Sequence, residues 1–427
     1  MSAATNGNRR RLRILLVSYF YPPCSDTGAH RPSAMAKYLR RLGHDVTVLT
    51  TLAYGKGAPD EEHVVRSTDA QLWRARLNGR QTTGSLFDSD THSPKPHFLS
   101  YVIVPEPLLL AWAPFALWTG FKLLRRRRFD VVISTSPVES AHFVGKTMAR
   151  WSRAAWVADV RDAWTFEPLL PRHPTRIQRW FNRFLEKRWF GAADRVVCVS
   201  VPAAEDLSNR LNIPAEVVHN GADTELSTPG PKARETATSL LDPERVSLVY
   251  TGRFGSYGRN PEPLVRAIEK LAVDHPDIAA KLELVIAGPL TEPEDELMRG
   301  AQTGNARINV AGTFDRETSI ALQQAADVLL VVANSKRSQL ANFKLFEYLA
   351  ASRPILALSA GTEGGRIVTE AGGETVNADD IDAIEAALVK IVKEGLPEPD
   401  PETARFYTYP AVAERMEAVL HDAVNAR

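Results

Sequence analysis

Arg253 closes the apolar run VSLVYTGR, and Arg259 follows six residues later in the glycine-containing loop FGSYGRN. Two guanidiniums at one strand end can hold a pyrophosphate and stabilise the negative charge it gains as a bond to it breaks. Solvated loop arginines are the plainer reading of the pair. Gly28, in YPPCSDTGAH, is a second phosphate candidate, because a residue without Cβ lets backbone N–H groups approach an anion ahead of a helix. A turn glycine would look the same. Arg31 is near enough in sequence to reach that phosphate or an anionic acceptor, or to stand exposed at a helix start. Glu347, in KLFEYLAA, can accept both hydroxyls of a ribose, the usual task of an acid in an α/β nucleoside site. Lys344 lies on the same helical face and can meet a phosphate, unless the two form only a surface pair at i, i+3.

Asp159, Arg161, Asp162 and Trp164 crowd the end of the run AAWVADV. There they can orient an acceptor hydroxyl or shape its pocket; the alternative is an Arg/Asp network that holds the strand end. His142, in STSPVESAHFVG, can accept or relay a proton, or pack its helix. His219 opens HNGAD, which reads as backbone geometry, since Asn220 and Gly221 tolerate positive φ. Cys24 has no partner histidine nearby and is assigned no catalysis. Two close acids invite a metal, but no Asp-x-Asp flanked by apolar strand residues accompanies the two arginines, so no essential metal is expected.

These residues need a frame that gathers strand ends. With 427 residues and roughly 150 per domain, the chain has material for two or three domains. Apolar residues make up 44% and charged residues 24%, which excludes disorder, collagen-like repeats and coiled coil. Only two cysteines occur, Cys24 and Cys198; they exclude a disulfide framework or a Cys-based zinc site and suit a reducing, cytoplasmic compartment. Short apolar runs at 13–18, 45–50, 129–135, 154–160, 195–200 and 215–221 read as strands separated by helices. A second series follows at 246–252, 282–288, 308–312, 328–332 and 354–358, with helices over 261–273 and 379–394. Such alternation predicts parallel sheets covered on both faces, with ligands at their carboxyl edges and in the cleft between two doubly wound domains. The expected division is 1–223, a Pro/Thr/Ser-rich linker at 224–245, 246–405, and a terminal helix over 406–427 that packs back toward the first domain. Residues 58–98 read as a long, partly irregular excursion.

The net charge of +1 argues against a nucleic-acid binder, yet the charge is unevenly spread. Residues 1–223 carry 31 Lys+Arg against 20 Asp+Glu, and residues 224–427 carry 21 against 31. The first half therefore suits a membrane surface or a phosphorylated substrate, with chance drift of surface charge as the alternative. Residues 107–124 form an apolar stretch ahead of Arg125 to Arg128, but Pro114 interrupts it, so a membrane span is not expected. RIQRWFNRFLEKRWF, at 176–190, sets Ile177, Trp180, Phe181, Phe184 and Leu185 on one face and Arg176, Arg179, Arg183 and Lys187 on another. That pattern fits an interfacial helix or a core helix with a solvated face.

Taken in order, YPP…GAHR, DVRDAW (159–164), HNGAD (219–223), TGR (251–253) and KLFEYLAASRPILA (344–357) resemble the retaining glycosyltransferases of family 4, in particular a bacterial surface-polysaccharide or glycolipid branch. The resemblance spans nearly the whole chain. It implies the GT-B fold: two doubly wound Rossmann-like α/β domains facing across a cleft, the first for the acceptor and the second for the nucleotide sugar. It implies metal-independent transfer, with retention, from an NDP-sugar, UDP- or GDP-linked, to an acceptor hydroxyl, and no further cofactor. The implied mechanism is front-face, with the leaving phosphate helping to deprotonate the incoming hydroxyl while Arg253 and Arg259 stabilise it. The family more usually has Lys where Arg259 stands. It also carries a Glu-x7-Glu pattern in which Glu347 is the second acid; Gln339 occupies the first position, which leaves Gln339, Asn342 or backbone near Ala341 to meet the donor sugar. The expected acceptor is a lipid-linked glycan intermediate, met through peripheral contact with the inner face of the cell membrane. A soluble natural-product acceptor, a nucleotide-sugar epimerase of the same fold and a silent binding module are the alternatives. An epimerase needs several acids or histidines for proton shuttling, and a silent module needs a broken phosphate site.

Overall fold

The computed structural model describes residues 10–70, 103–162, 164–166, 175–254, 259–334, 341 and 343–427. The chain divides into two compact units, one of residues 1–219 with 413–427, the other of residues 220–412.

In the first unit, β1 (Arg13–Ser18), α1 (His30–Arg41) and β2 (Asp45–Thr51) form the opening βαβ, and β3 (Val64–Ser67) extends it. α1 buries Met35, Ala36 and Leu39, the helical spacing that marks it in sequence, and Gly43 at φ +96° turns the chain out of it. Then come α2 (Ala113–Leu124), β4 (Val131–Thr135), α3 (Ser140–Ser152), β5 (Ala155–Val160), α4 (Arg176–Phe190), β6 (Arg195–Cys198), α5 (Val201–Leu211) and β7 (Glu216–Val217). The sheet is seven-stranded, in the order β3-β2-β1-β4-β5-β6-β7, with every pair parallel. Leu15, Val17, Val132, Ala158 and Val196 face the layer made by α2 to α5. Alternate strand residues such as Ile14, Leu16 and Ile133 are buried too, as a sheet covered on both faces requires.

The second unit opens with α6 (Pro231–Ser239), followed by β8 (Val246–Thr251), α7 (Glu262–Asp274), β9 (Leu282–Ala287), α8 (Glu292–Gly300), β10 (Arg307–Gly312) and α9 (Arg316–Ala325). β11 (Val328–Val332), α10 (Phe343–Ala351), β12 (Ile355–Leu358), α11 (Glu363–Glu370), β13 (Glu374–Val376), α12 (Ile381–Glu394) and α13 (Pro401–Phe406) complete it. The parallel sheet runs β10-β9-β8-β11-β12-β13. Period-two alternation divides its core: Leu248, Leu284 and Leu330 face α7 and α12, while Val249, Val285 and Val331 face α9 and α10. The last helix, α14 (Ala411–Asn425), belongs from Ala413 onward to the first unit.

Several boundaries differ from the sequence reading. Residues 224–245 are not a linker: they hold a 3-10 turn and α6, whose Ala233 and Ala237 are buried in the second unit. Small alanines leave almost no apolar period to read. The division falls at His219/Asn220 and again at Val412/Ala413 rather than at 223 and 405. The excursion over 58–98 contains β3, an edge strand of only four residues; its part from 71 onward lies outside the described residues. The apolar stretch over 107–124 is broken at Trp112 into a helical turn and α2. Among the described residues no helix is long and apolar enough to cross a membrane.

Candidate active site

In the second unit β8 lies between β9 and β11, so the topological switch point falls between β8 and β11, where an open α/β sheet parts its strand-end loops. Both candidate arginines leave β8 there. Gly252 takes φ +123°, and Gly288 at the end of β9 sits so close that a Cβ would lie 2.0 Å from the Gly252 carbonyl oxygen. Only glycine fits at either place.

Tyr250 organises the arginines. It is buried, its ring stacks on Phe254 at 3.9 Å and 12°, and its hydroxyl donates to the Arg253 carbonyl oxygen at 2.7 Å. The phenol oxygen itself accepts from Arg259 Nη1 at 3.2 Å. One phenol thus ties together both ends of the loop whose residues 255–258 lie outside the described residues. Burial pushes the Tyr250 pKa up and the Arg259 guanidinium works against it; the net rise keeps the hydroxyl protonated and able to donate.

Glu347, at the third turn-neighbour of Lys344 on α10, is buried at 6% exposure. Its Oε1 meets Arg316 Nη2 at 3.0 Å and its Oε2 meets Lys344 Nζ at 3.0 Å. Gln323 Nε2 reaches Oε2 at 3.5 Å and also donates to Thr251 Oγ1 at 3.0 Å, and the Tyr348 hydroxyl accepts from Thr251 N at 2.9 Å. Lys344 Cε would lie 3.8 Å from a Cβ on Gly252, which brings this group beside Arg253. The Glu347–Lys344 pair is therefore no surface pair: a third member, Arg316, comes from α9, and the carboxylate is sunk beneath its cations. Arg316 and Lys344 pair with this carboxylate, and Arg253 and Arg259 leave the adjoining end of β8, which makes a locally positive site within the acidic half of the chain. Gln339 and Asn342 lie outside the described residues; Ala341 precedes α10.

In the first unit the structure brings the other candidates together at the ends of β1, β4 and β5, and most prove structural. Arg31 and Asp159 form a bidentate pair, Nε to Oδ2 at 3.0 Å and Nη2 to Oδ1 at 2.8 Å, with Thr135 Oγ1 donating to Oδ2 at 2.8 Å. Arg31 also donates to the carbonyls of Val218 and His219. Burial pushes the Asp159 carboxyl up, but the charge and hydrogen bonds of Arg31, with Thr135 and Arg161, overcome it and leave the pKa below the usual carboxylate range. Both side chains are spent inside the protein, so the network reading replaces the acceptor reading for Arg31 and Asp159. The Gly28 N–H is held by Asp26 Oδ1 at 2.7 Å, and a Cβ there would meet the Phe20 ring at 2.9 Å. Gly28 is thus required by packing, and its N–H is committed to a carboxylate rather than open to a phosphate.

Arg161 donates to the Gly28 carbonyl at 2.6 Å and its N–H meets Ser136 Oγ at 2.9 Å, which ties the end of β5 to the first loop; Asp162 follows, half-buried. Trp164 is not an acceptor platform. It is 2% exposed, donates to Asn182 Oδ1 at 2.8 Å and packs on Trp189 and Phe190. His142 is fully buried, with Nδ1 2.9 Å from Ser134 Oγ and its ring edge-on to Phe190. Desolvation lowers its pKa to about 4, so it stays neutral, and its burial keeps it from exchanging a proton with solvent. Tyr250, Arg316 and Gln323 escaped the sequence reading because a tyrosine inside a strand and polar residues on a helix carry no motif.

One His/Glu cluster has metal-ligand spacing among the described residues: His44, Glu417 and His421 in the first unit. Leu12 N–H donates to His44 Nδ1 at 3.1 Å, so Nε2 keeps the ring proton and gives it to Glu417 Oε1 at 2.9 Å. A metal on that nitrogen would need an imidazolate, and the cluster does not fit one.

The family model for glycosyltransferase family 4 matches residues 33–226, and the model for glycosyl transferases group 1 matches residues 245–394. The chain belongs to the group 1, family 4 glycosyltransferases. Among curated glycosyltransferases it is 28% identical over 184 residues to D-inositol 3-phosphate glycosyltransferase from Mycobacterium sp. (strain KMS). That match covers 41% of this chain and 39% of the relative, so the chain spans about two fifths of the length of the curated relatives it matches. Among solved structures, sucrose-phosphate synthase from Thermosynechococcus elongatus has a TM-score of 0.67 at 18% identity, over 98% of this chain and 100% of that one. Anabaena HepE in complex with UDP-glucose has a TM-score of 0.61 at 13% identity, over 96% of this chain and 100% of that one. At these identities the likeness is one of fold, the GT-B arrangement of two Rossmann-like sheets.

Proposed function

We propose that this glycosyltransferase moves a sugar from a nucleoside diphosphate sugar to an acceptor hydroxyl with retention, using cationic side chains where other enzymes use a metal. The observation that carries the reading is the group of Arg253, Arg259, Arg316 and Lys344 at the β8–β11 switch point. In this reading the bond from the anomeric carbon to the diphosphate oxygen breaks, the acceptor oxygen forms its bond on the same face, and the acceptor proton passes to the leaving phosphate. Arg253 and Arg259 stabilise the charge on that phosphate. Lys344 and Arg316 transfer their attention from Glu347 to the phosphates, which frees Glu347 for the ribose hydroxyls. The UDP-glucose held by HepE supports a uridine diphosphate donor. The acceptor is a lipid-linked glycan intermediate of polysaccharide or glycolipid assembly; retention and acceptor class follow from the family resemblance.

Burial of His142 and the internal pairing of Asp159 speak against an epimerase, which needs titratable groups at the sugar. A thermal-shift panel of UDP, GDP, TDP and ADP with their sugars tests the donor, because a ligand selective for the folded state raises Tm. One nucleotide and its sugar should stand out. No shift with any of them would remove the donor assignment. Transfer that persists in EDTA supports the metal-free reading, and loss restored only by Mg²⁺ or Mn²⁺ overturns it.

A further inference from the structure

α4 buries a polar stripe ahead of Trp189 and Phe190, which enter the apolar core. Gln178, Asn182 and Glu186, spaced by four along one face, are buried, while Ile177, Trp180, Phe181 and Phe184 face outward at 79%, 66%, 38% and 49% exposure. The inward polar groups are met locally, save for the buried Gln178 Nε2. Gln178 closes a capping box with Thr175, Asn182 accepts from Trp164, and Glu186 receives Thr165 Oγ1 and pairs with Arg210 at 2.8 Å. These hydrogen bonds, together with Trp189 and Phe190 in the core, hold the helix, and its outward aromatic face is left for another use. Trp180 and Phe184 stack at 6.0 Å and 13°, with Phe181 beside them at 6.2 Å from Phe184. A contiguous apolar face of this size marks an interaction surface.

We propose that α4 seats the first unit on an anionic lipid surface, with these four apolar side chains entering the headgroup boundary and Arg176, Arg179, Arg183 and Lys187 meeting the lipid phosphates. The charge decides between occupants. A second copy docking through the same face would bring like cations together across a two-fold axis, whereas an anionic bilayer offers both an apolar layer and the opposite charge. Tryptophan is at home at such a boundary. α2 and α3, in the same helical layer, add a second point of contact: Trp118 and Trp151 are 62% and 50% exposed, with Lys122 4.9 Å from the Trp118 ring centroid and Arg125 4.9 Å from that of Phe121. Through Trp164 and Thr165, α4 grips the segment that follows Asp162, so a surface-bound α4 holds the end of β5 near the headgroups. The inference rests on the proposed lipid-linked acceptor for its purpose, and on the helix alone for its geometry.

The test is co-sedimentation of the full chain with phosphatidylcholine vesicles with and without phosphatidylglycerol, for the wild type, W180S/F184S, and R176Q/R179Q/R183Q. The wild type should bind only vesicles with phosphatidylglycerol and release as salt shortens the Debye length from about 10 Å at 0.1 M to about 3 Å at 1 M. Partitioning should fall about fivefold for each arginine removed and on the order of tenfold or more for the aromatic pair. Both variants should keep wild-type Tm and wild-type transfer to a water-soluble acceptor analogue. Wild type that ignores phosphatidylglycerol, or variants that bind as wild type does, overturns the proposal. A concentration-dependent dimer abolished by W180S/F184S assigns the face to a second copy instead and overturns it too. Normal vesicle binding without transfer to any lipid-linked acceptor would leave the surface intact and sink the acceptor reading.

Discussion

Tyr250 and Arg259 meet through a single hydrogen bond, Nη1 to the phenol oxygen at 3.2 Å, and the same phenol gives its proton to the Arg253 carbonyl. A buried strand tyrosine thereby sets where both arginines begin. Tyr250→Phe removes the hydroxyl but keeps the stack on Phe254. It should cost about 1 kcal/mol of stability and lower kcat up to about tenfold with little change in nucleotide affinity. Steady-state kinetics beside nucleotide titration check it; unchanged kcat in a folded variant would remove Tyr250 as a positioning residue.

Arg253→Ala should lower kcat on the order of 100-fold or more while nucleoside binding barely changes, because the guanidinium acts on charge that develops as the phosphate leaves. Arg253→Lys should recover only part of the loss, since an ammonium lacks the planar fork. Activity within a few-fold of wild type for the alanine variant would take Arg253 out of the mechanism.

Glu347→Gln should weaken nucleotide binding by roughly 1.5–3 kcal/mol, the range for hydrogen bonds to a charged group. A 2′,3′-dideoxy nucleotide should be insensitive to the change. Equal weakening of both ligands, measured by calorimetry, would mean that Glu347 only holds Arg316 and Lys344.

His142 gives stability a pH dependence of its own. Its pKa is lowered to about 4 by burial, below the value of about 6.5 in the unfolded chain. The unfolded state therefore binds the proton first as pH falls. The contribution is whole above about pH 6.5 and lost between there and about pH 4, up to about 3 kcal/mol. In denaturant titrations across that window, His142→Gln should show a flatter pH profile than wild type. Parallel profiles would place the pH dependence in other groups.

Much of the fold is legible along the chain. The runs RILLVS, VVIST and LELVIA declare buried parallel strands because both faces of such a strand must be apolar, and period alone carries that information. The arginines at the end of β8 and the Glu347/Lys344 spacing are legible for a similar reason: strand ends and helical faces follow from local geometry. What needed the tertiary structure was which side of a local pattern faces inward. α4 reads in sequence as an amphipathic helix, yet Asn182 and Glu186 turn inward because Trp164, Thr165 and Arg210, distant in sequence, satisfy them there. Asp159 and Trp164 resemble site residues until partners 128 and 18 residues away consume their polar atoms. Tyr250 resembles core until its hydroxyl is seen between two loop ends. Burial and hydrogen-bond satisfaction depend on pairs, and pairing between distant residues is decided only when the chain closes on itself.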